Sequence, residues 1–311
     1  MIYDLLKDNI SLLRSITVGV TFILSMAALK VFAKKLPRDQ GREFAVNGEL
    51  SQGKPRGAGI IMISVFTLCA ALFSKMNTEQ IINIALIYAA MMTGYLDDSA
   101  KKPWGEFKKG ICDLAIAGGI TANFLYFHKP IMFIFKWHFE LPVAVYAILS
   151  VILVWVSINV VNCTDGVDGL CASLSMAAVF FFLQVQTFYM EPGFVMLGVL
   201  AAYLWFNSSP SSMLMGDAGS RALGVFIALM ALQSAEPLIF IPFALVMILD
   251  GGLGLLKLSV RRVFKSKTFM ENIRTPLHDH ARKKLGFSDQ QVVARFLIIQ
   301  LVICTVVLFL V

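Results

Sequence analysis

The sequence predicts an all-α polytopic integral membrane protein, a single domain over residues 1–311 built as a bundle of about ten transmembrane helices. Three observations predict it. The chain is 58% hydrophobic and only 15% charged, whereas soluble domains run nearer a quarter charged. Its apolar residues gather in runs of roughly 17–25, long enough at about 1.5 Å per residue to cross about 30 Å of hydrocarbon. Most of its 27 lysines and arginines lie in alternate loops between those runs.

In chain order the expected spans are 12–33, 58–75, 79–96, 109–127, 143–163, 169–188, 194–209, 219–235, 237–260 and 290–311. The second, seventh and eighth are short for a bilayer and call for tilt or interfacial flanks. The first is long, and its basic cluster (Lys34, Lys35, Arg38) follows it, the reverse of the order in a cleavable signal peptide. The loop after it adds Arg42, Lys54 and Arg56. The loop after the third span holds Lys101, Lys102, Lys108 and Lys109. The loop after the ninth holds Arg261, Arg262, Lys265, Lys267, Arg274, Arg282, Lys283 and Lys284. The opposite loops carry little positive charge: Lys75, then Lys129 and Lys136. Because lysine and arginine stay on the cytoplasmic side, the loops after odd-numbered spans are expected there and both termini outside. The net charge of +7 is thus a membrane-side feature and not the footprint of a nucleic-acid binder. The external segment 128–142 is rich in aromatic residues, which suits anchoring at the interface. Five scattered cysteines (Cys69, Cys112, Cys163, Cys171, Cys304) show neither metal spacing nor a disulfide framework and read as buried thiols.

The unusual polar residues collect on one side of this map. Asp97 and Asp98 end the third span. Asn159, Asn162, Asp165 and Asp168 end the fifth, Asp217 opens the eighth, and His278, Asp279 and His280 follow the ninth. Carboxylates at membrane depth are costly and usually hold cations or line a wet cavity. The plainer alternative is that each caps or solvates a helix end. Asp165 and Asp168 flank a glycine-rich turn, and Asp217 stands among small residues where a bulky ligand can approach. Hard oxygen ligands of this kind suit Mg²⁺, which takes one or two carboxylates together with substrate phosphates. The basic loop around His278 and His280 reads equally as a patch for anionic lipid headgroups or as a phosphate site. An ion-coupled transporter would place its carboxylates near the midplane, often in repeated halves. Here they stand at one end and no repeat is visible.

At these residues the chain resembles the polyprenyl-phosphate N-acetylhexosamine-1-phosphate transferases. The matching segments are GYLDD at 94–98, NVVNCTDGVDGL at 159–170, MGDAGSRALG at 215–224, and TPLHDH at 275–280 running into GFSDQQVVARF at 286–296. The resemblance implies a ten-helix fold with a cytoplasmic active-site cleft in a bacterial plasma membrane, and a homodimer. It implies Mg²⁺ held by Asp217, and catalytic roles for Asp97, Asp98, Lys109 and His278. Asn159, Asn162, Asp165, Asp168, Lys257 and His280 would bind substrate. The first loop and the TPLHDH segment stand closer to members that move phospho-N-acetylmuramoyl-pentapeptide. These take it from UDP-MurNAc-pentapeptide to undecaprenyl phosphate, giving lipid I and UMP. The GlcNAc-1-phosphate transferases are the alternative.

The chain also departs from the family pattern. Asp279 replaces the middle one of three histidines. Leu214 stands where many members carry a phenylalanine, Lys257 where a glutamine contacts the nucleotide. Lys54, Pro55 and Arg56 alter the Gly-Thr-Pro-rich entry to the second span.

Overall fold

The computed structural model describes residues 2–41, 51–100, 102–134, 137–186, 190–234, 236–265 and 268–310. Arg42, Lys101, Lys136 and Lys267, counted above among the loop charges, lie outside the described residues, as do the last residues of the expected spans 169–188, 219–235 and 290–311. The chain is mainly helical. Helices stand where each span was expected: α1 (Ile10–Phe32), α2 (Gly59–Phe73), α3 (Thr78–Asp98), α4 (Glu106–Phe127), α5 (Val143–Thr164), α6 (Leu170–Val185), α7 (Met190–Asn207) and α8 (Gly216–Gln233). A broken segment then ends in α9 (Leu253–Phe264), and α10 (Leu277–Lys284) and α11 (Asp289–Leu308) complete the order. By length and composition, four of the described helices can cross a membrane unaided, or five if the broken segment, bent by 70°, is counted as one span. At 15 residues α2 spans only about 22 Å, less than a hydrocarbon core.

The innermost helix is α8. From Gly216 to Gln233 every residue but Asp217 is buried, as expected for a helix that is apolar all round. Lipid tails are as apolar as leucine, so helices in a bilayer gain specificity from close backbone approach and from polar contacts. Both occur here. A Cβ on Gly94 of α3 would overlap the main chain of Asp217, and one on Gly59 of α2 would overlap that of Gly219. On a third side, Gly224 leaves room for Ile158 of α5, and the Ser157 hydroxyl donates to the Gly224 carbonyl at 2.7 Å. Phe66 of α2 meets Phe226 edge-on at 5.3 Å between centroids.

At the Gln233 end of α8 a second polar set joins the same helices. Glu79 of α3 accepts from Gln233 at 2.5 Å and pairs with His128, just past α4, at 2.8 Å. Asn123 of α4 donates to Asn83 at 2.8 Å and to the Glu79 carbonyl at 3.1 Å. Past His128 the segment 128–142 forms an antiparallel pair, β1 (Ile131–Ile134) with β2 (Trp137–Glu140), in which Phe133 lies opposite His138.

The broken segment has a cause in its sequence. Pro237 and Pro242 restrict its first part. A π-turn over Ile248–Gly252 then precedes α9, and such turns recur at functional sites. Beyond the bend α9 has no buried residue. Leu256, Leu258, Val263 and Phe264 stand exposed beside Arg261 and Arg262, the composition of an arm lying at a membrane surface.

Candidate active site

Asp97 and Asp98, adjacent at the end of α3, diverge as neighbours on a helix must. Asp98 is enclosed. Its Oδ1 accepts from Arg56 Nε at 3.0 Å and its Oδ2 from the Ala218 N–H at 3.0 Å, so it caps the first turn of α8. Gly216 makes this possible: its φ is +72°, and a Cβ there would overlap the Asp98 carboxylate. The capping alternative raised from the sequence therefore describes Asp98.

Asp97 turns toward α4. Lys109 Nζ lies 2.5 Å from Asp97 Oδ2 and 2.9 Å from Asp217 Oδ2, while the Trp104 N–H reaches Asp97 Oδ1 at 2.6 Å. Arg56 approaches from the first loop, with Nη1 3.1 Å from Asp39 Oδ1 and Nη2 4.0 Å from Asp217 Oδ1. Its place is set by main-chain pairing. Leu214 N donates to the Pro55 carbonyl at 2.8 Å, and Ala58 N to the Leu214 carbonyl at 3.0 Å. Leu214 thus meets the first loop through its backbone. Burial works against the Arg56 charge, but the carboxylates of Asp98, Asp217 and Asp39 outweigh it and raise its pKa above the usual arginine value. Arg56 is a fixed cation at this centre.

Four carboxylates thus face two cations, leaving an excess of negative charge. Asp97 and Asp217 direct one oxygen each at a single point, now held by the Lys109 ammonium. Such a set of hard oxygens fits an ion like Mg²⁺, which needs only one or two carboxylates and completes its shell with phosphate and water. Among the described residues no group of three or more His, Cys, Asp or Glu side chains forms a metal cage.

The turn between α5 and α6 stands beside this centre. Asn162 donates to the Ser220 hydroxyl at 2.9 Å, which ties the end of α5 to α8 one turn beyond Asp217. Asp168 accepts from the Ser211 N–H at 2.9 Å and pairs with Lys54 at 3.6 Å. Asp165 is half-buried on the same turn. His278 reaches the turn from α10: a Cβ on Gly166 would overlap its Nε2.

Three sequence candidates keep other company. Asn159 donates back to the Trp155 carbonyl of its own helix at 2.8 Å. Lys257 of α9 donates to the Ile273 carbonyl at 2.6 Å, and His280 Nδ1 accepts from the Arg274 N–H at 3.2 Å. Asp279, in the altered histidine triplet, faces Arg274 and Arg282, each at 3.8 Å.

Sequence reasoning passed over four participants. Arg56 was read only as a loop charge and a departure from pattern. Asp113 and Arg221 form a buried ion pair behind Lys109, and Arg221 also donates to the Lys109 carbonyl at 3.2 Å. Asp250 is fully buried and holds His278, with Oδ2 at 2.8 Å from Nδ1 and Oδ1 at 2.7 Å from the backbone N. For Asp113, Arg221 and Asp250 the signal was a charged residue inside an apolar span.

Known proteins extend this picture. The glycosyl transferase family 4 model matches residues 80–235, from the start of α3 to the end of α8. A phospho-N-acetylmuramoyl-pentapeptide-transferase of Treponema pallidum is 38% identical over 95% of this chain and 88% of its own length. The proteins of the same name from Clostridium acetobutylicum and Aliarcobacter butzleri are 28% and 26% identical. They match over 98% and 96% of this chain and 97% and 95% of their own lengths. With the family model covering the helices that carry the carboxylates, and a relative this similar along nearly the whole chain, the protein belongs to the phospho-N-acetylmuramoyl-pentapeptide-transferase family, within glycosyl transferase family 4.

Proposed function

We propose that the chain transfers phospho-N-acetylmuramoyl-pentapeptide from UDP-MurNAc-pentapeptide to undecaprenyl phosphate, releasing UMP and forming lipid I for peptidoglycan synthesis. The observation that carries the reading is the convergence of Asp97, Asp98 and Asp217 with Lys109 and Arg56 at one end of an apolar helical bundle. Phosphoryl transfer between two anions is mainly charge neutralisation and positioning, and this centre supplies both signs of charge at fixed positions.

In this reading Asp217, with Asp97 beside it, holds Mg²⁺. The bound ion supplies positive charge at the diphosphate of the donor. Lys109 and Arg56 are placed to take phosphate oxygens as those arrive, each exchanging a carboxylate partner for a phosphate one. Asp98 positions α8 and is fully engaged in doing so. Deprotonation of the acceptor phosphate therefore falls to Asp97 or Asp165, and the demand is light, because the second pKa of a phosphate monoester is about 6. The Asp165–Asp168 turn and His278 border the donor. The polyprenyl tail remains in the bilayer and its phosphate reaches the centre sideways.

The proposal extends to ten membrane crossings, a cleft at the cytoplasmic face and both termini outside. The basic residues after the first, third and ninth expected spans support that orientation. We also propose a homodimer.

Release of UMP by the purified protein tests the reading, with Mg²⁺ and undecaprenyl phosphate present and UDP-MurNAc-pentapeptide or UDP-GlcNAc offered separately. Release with the first donor alone is expected. Release with UDP-GlcNAc alone would keep the chemistry and replace the donor. Release with neither by folded protein would remove the transferase reading, and release undiminished by a chelator would remove the metal.

A further inference from the structure

One buried residue beside the site, Asp250, has no part in the chemistry above. Asp250 lies in the π-turn of the broken segment, fully buried in an apolar stretch. Gly251, next to it, lets that turn lie on α5, where a Cβ would come within 2.6 Å of Cys163 Cβ. A carboxylate at such a place is costly unless its oxygens are occupied. Both are, and by one residue: His278 gives its backbone N–H to Oδ1 at 2.7 Å and presents Nδ1 to Oδ2 at 2.8 Å.

An ionised carboxylate only accepts hydrogen bonds, so Nδ1 must carry the proton. The opposite ring atom is then committed as well. Nε2 lies against Gly166, the residue after Asp165 and two before Asp168, and only a residue without a Cβ admits the ring there. His278 is 3% exposed, so it offers a substrate a single atom and not a ring face. Gly166 itself is exposed.

We infer that Asp250 is a positioning residue: it fixes the orientation and tautomer of His278 so that Nε2 is delivered to the Asp165–Asp168 turn. The inference rests on the reading of His278 as part of the substrate site. In the neutral ring Nε2 accepts. Were the ring to take a second proton during the reaction, Nε2 would donate to a phosphate oxygen instead. A bent segment remote in sequence thereby orders a contact at the α5–α6 turn. The geometry also predicts the outcome of replacing Asp250 by asparagine. The amide has one acceptor for two donors. If its oxygen keeps the backbone N–H of His278, its NH₂ faces Nδ1, and the ring proton moves to Nε2.

The test uses the full-length protein with nitrogen-15 histidine, the His278 signal being the one lost in His278→Gln. The expected wild-type spectrum has the proton on Nδ1 of neutral His278, and Asp250→Asn inverts the pattern. Turnover in Asp250→Asn falls about 100-fold, the scale of a lost acid–base or donor contact, with the donor KM changed by less than about threefold. Asp250→Glu, which keeps two acceptors, recovers most of that loss. A wild-type signal with the proton on Nε2 overturns the inference without touching the transferase reading, and it needs no variant of Asp250 to fold. Undiminished turnover in folded Asp250→Asn also overturns it. If His278→Gln turns over at the wild-type rate, His278 is no part of the substrate site, and both the site reading and the inference fall.

Discussion

The same three helices, α3, α4 and α8, carry a polar cluster at each end, and the two clusters are built on opposite plans. At the Gln233 end, the Glu79 carboxylate meets one histidine and one amide, so its single charge is answered by neighbours beside it. At the Asp217 end, the carboxylates of Asp39, Asp97, Asp98 and Asp217 outnumber Arg56 and Lys109. Helices that need joining can use either plan. Only the second leaves charge for a ligand to neutralise. An ionisable residue inside a membrane protein is therefore better judged by the balance of charge around it than by its presence.

The comparison can be broken by experiment, beginning with the largest expected effect. Asp217→Asn removes the carboxylate that both cations address, and turnover measured by UMP release is expected to fall about 100- to 1,000-fold, with the melting temperature nearly unchanged. Wild-type turnover there would make the Asp217 end as architectural as the other. Lys109→Met leaves Asp97 and Asp217 without their shared cation, and a loss of about 100-fold is expected, partly restored in Lys109→Arg. Arg221→Met sharpens the comparison from within the same end. It strands Asp113, a buried partner, and is expected to lower stability by about 3–5 kcal/mol. The double variant Arg221→Met with Asp113→Leu is expected to regain most of that in a thermal unfolding assay. Smallest is Glu79→Gln, which costs about 1–2 kcal/mol through weakened hydrogen bonds and leaves turnover within about threefold. A larger loss of turnover there would mean that the Gln233 end also acts in the reaction.

Much of this was readable in the sequence, for identifiable reasons. Runs of apolar residues locate helices because the bilayer imposes their length. Asp97 and Asp217 could be singled out because carboxylates at the span ends gather on one side, and Lys109 through the family resemblance; the fold brings the three together. What composition could not resolve is which carboxylate faces inward. Asp97 and Asp98 differ in role only because Gly216 lets α8 sit on the second of them. Asn159 carried the same signal as Asn162, yet its amide donates within its own helix while that of Asn162 reaches Ser220. Asp250 was hidden by its apolar surroundings, and its partner lies 28 residues on. The β1–β2 pair was not foreseen, because its aromatic residues are equally suited to interfacial anchoring.

The glycine contacts around α8 have one more consequence. Bilayers differ in thickness by several Å, and proteins adapt by tilting their outer helices. Gly59 and Gly94 set α2 and α3 directly on the backbone of α8, at Gly219 and Asp217 respectively. No side chain stands between them to yield. Mismatch with a thinner or thicker membrane is thereby absorbed at the rim, by α1 and α11, while the spacing between Asp98 and Asp217 stays that of touching main chains. A catalytic centre suspended in this way is insulated from the lipid around it.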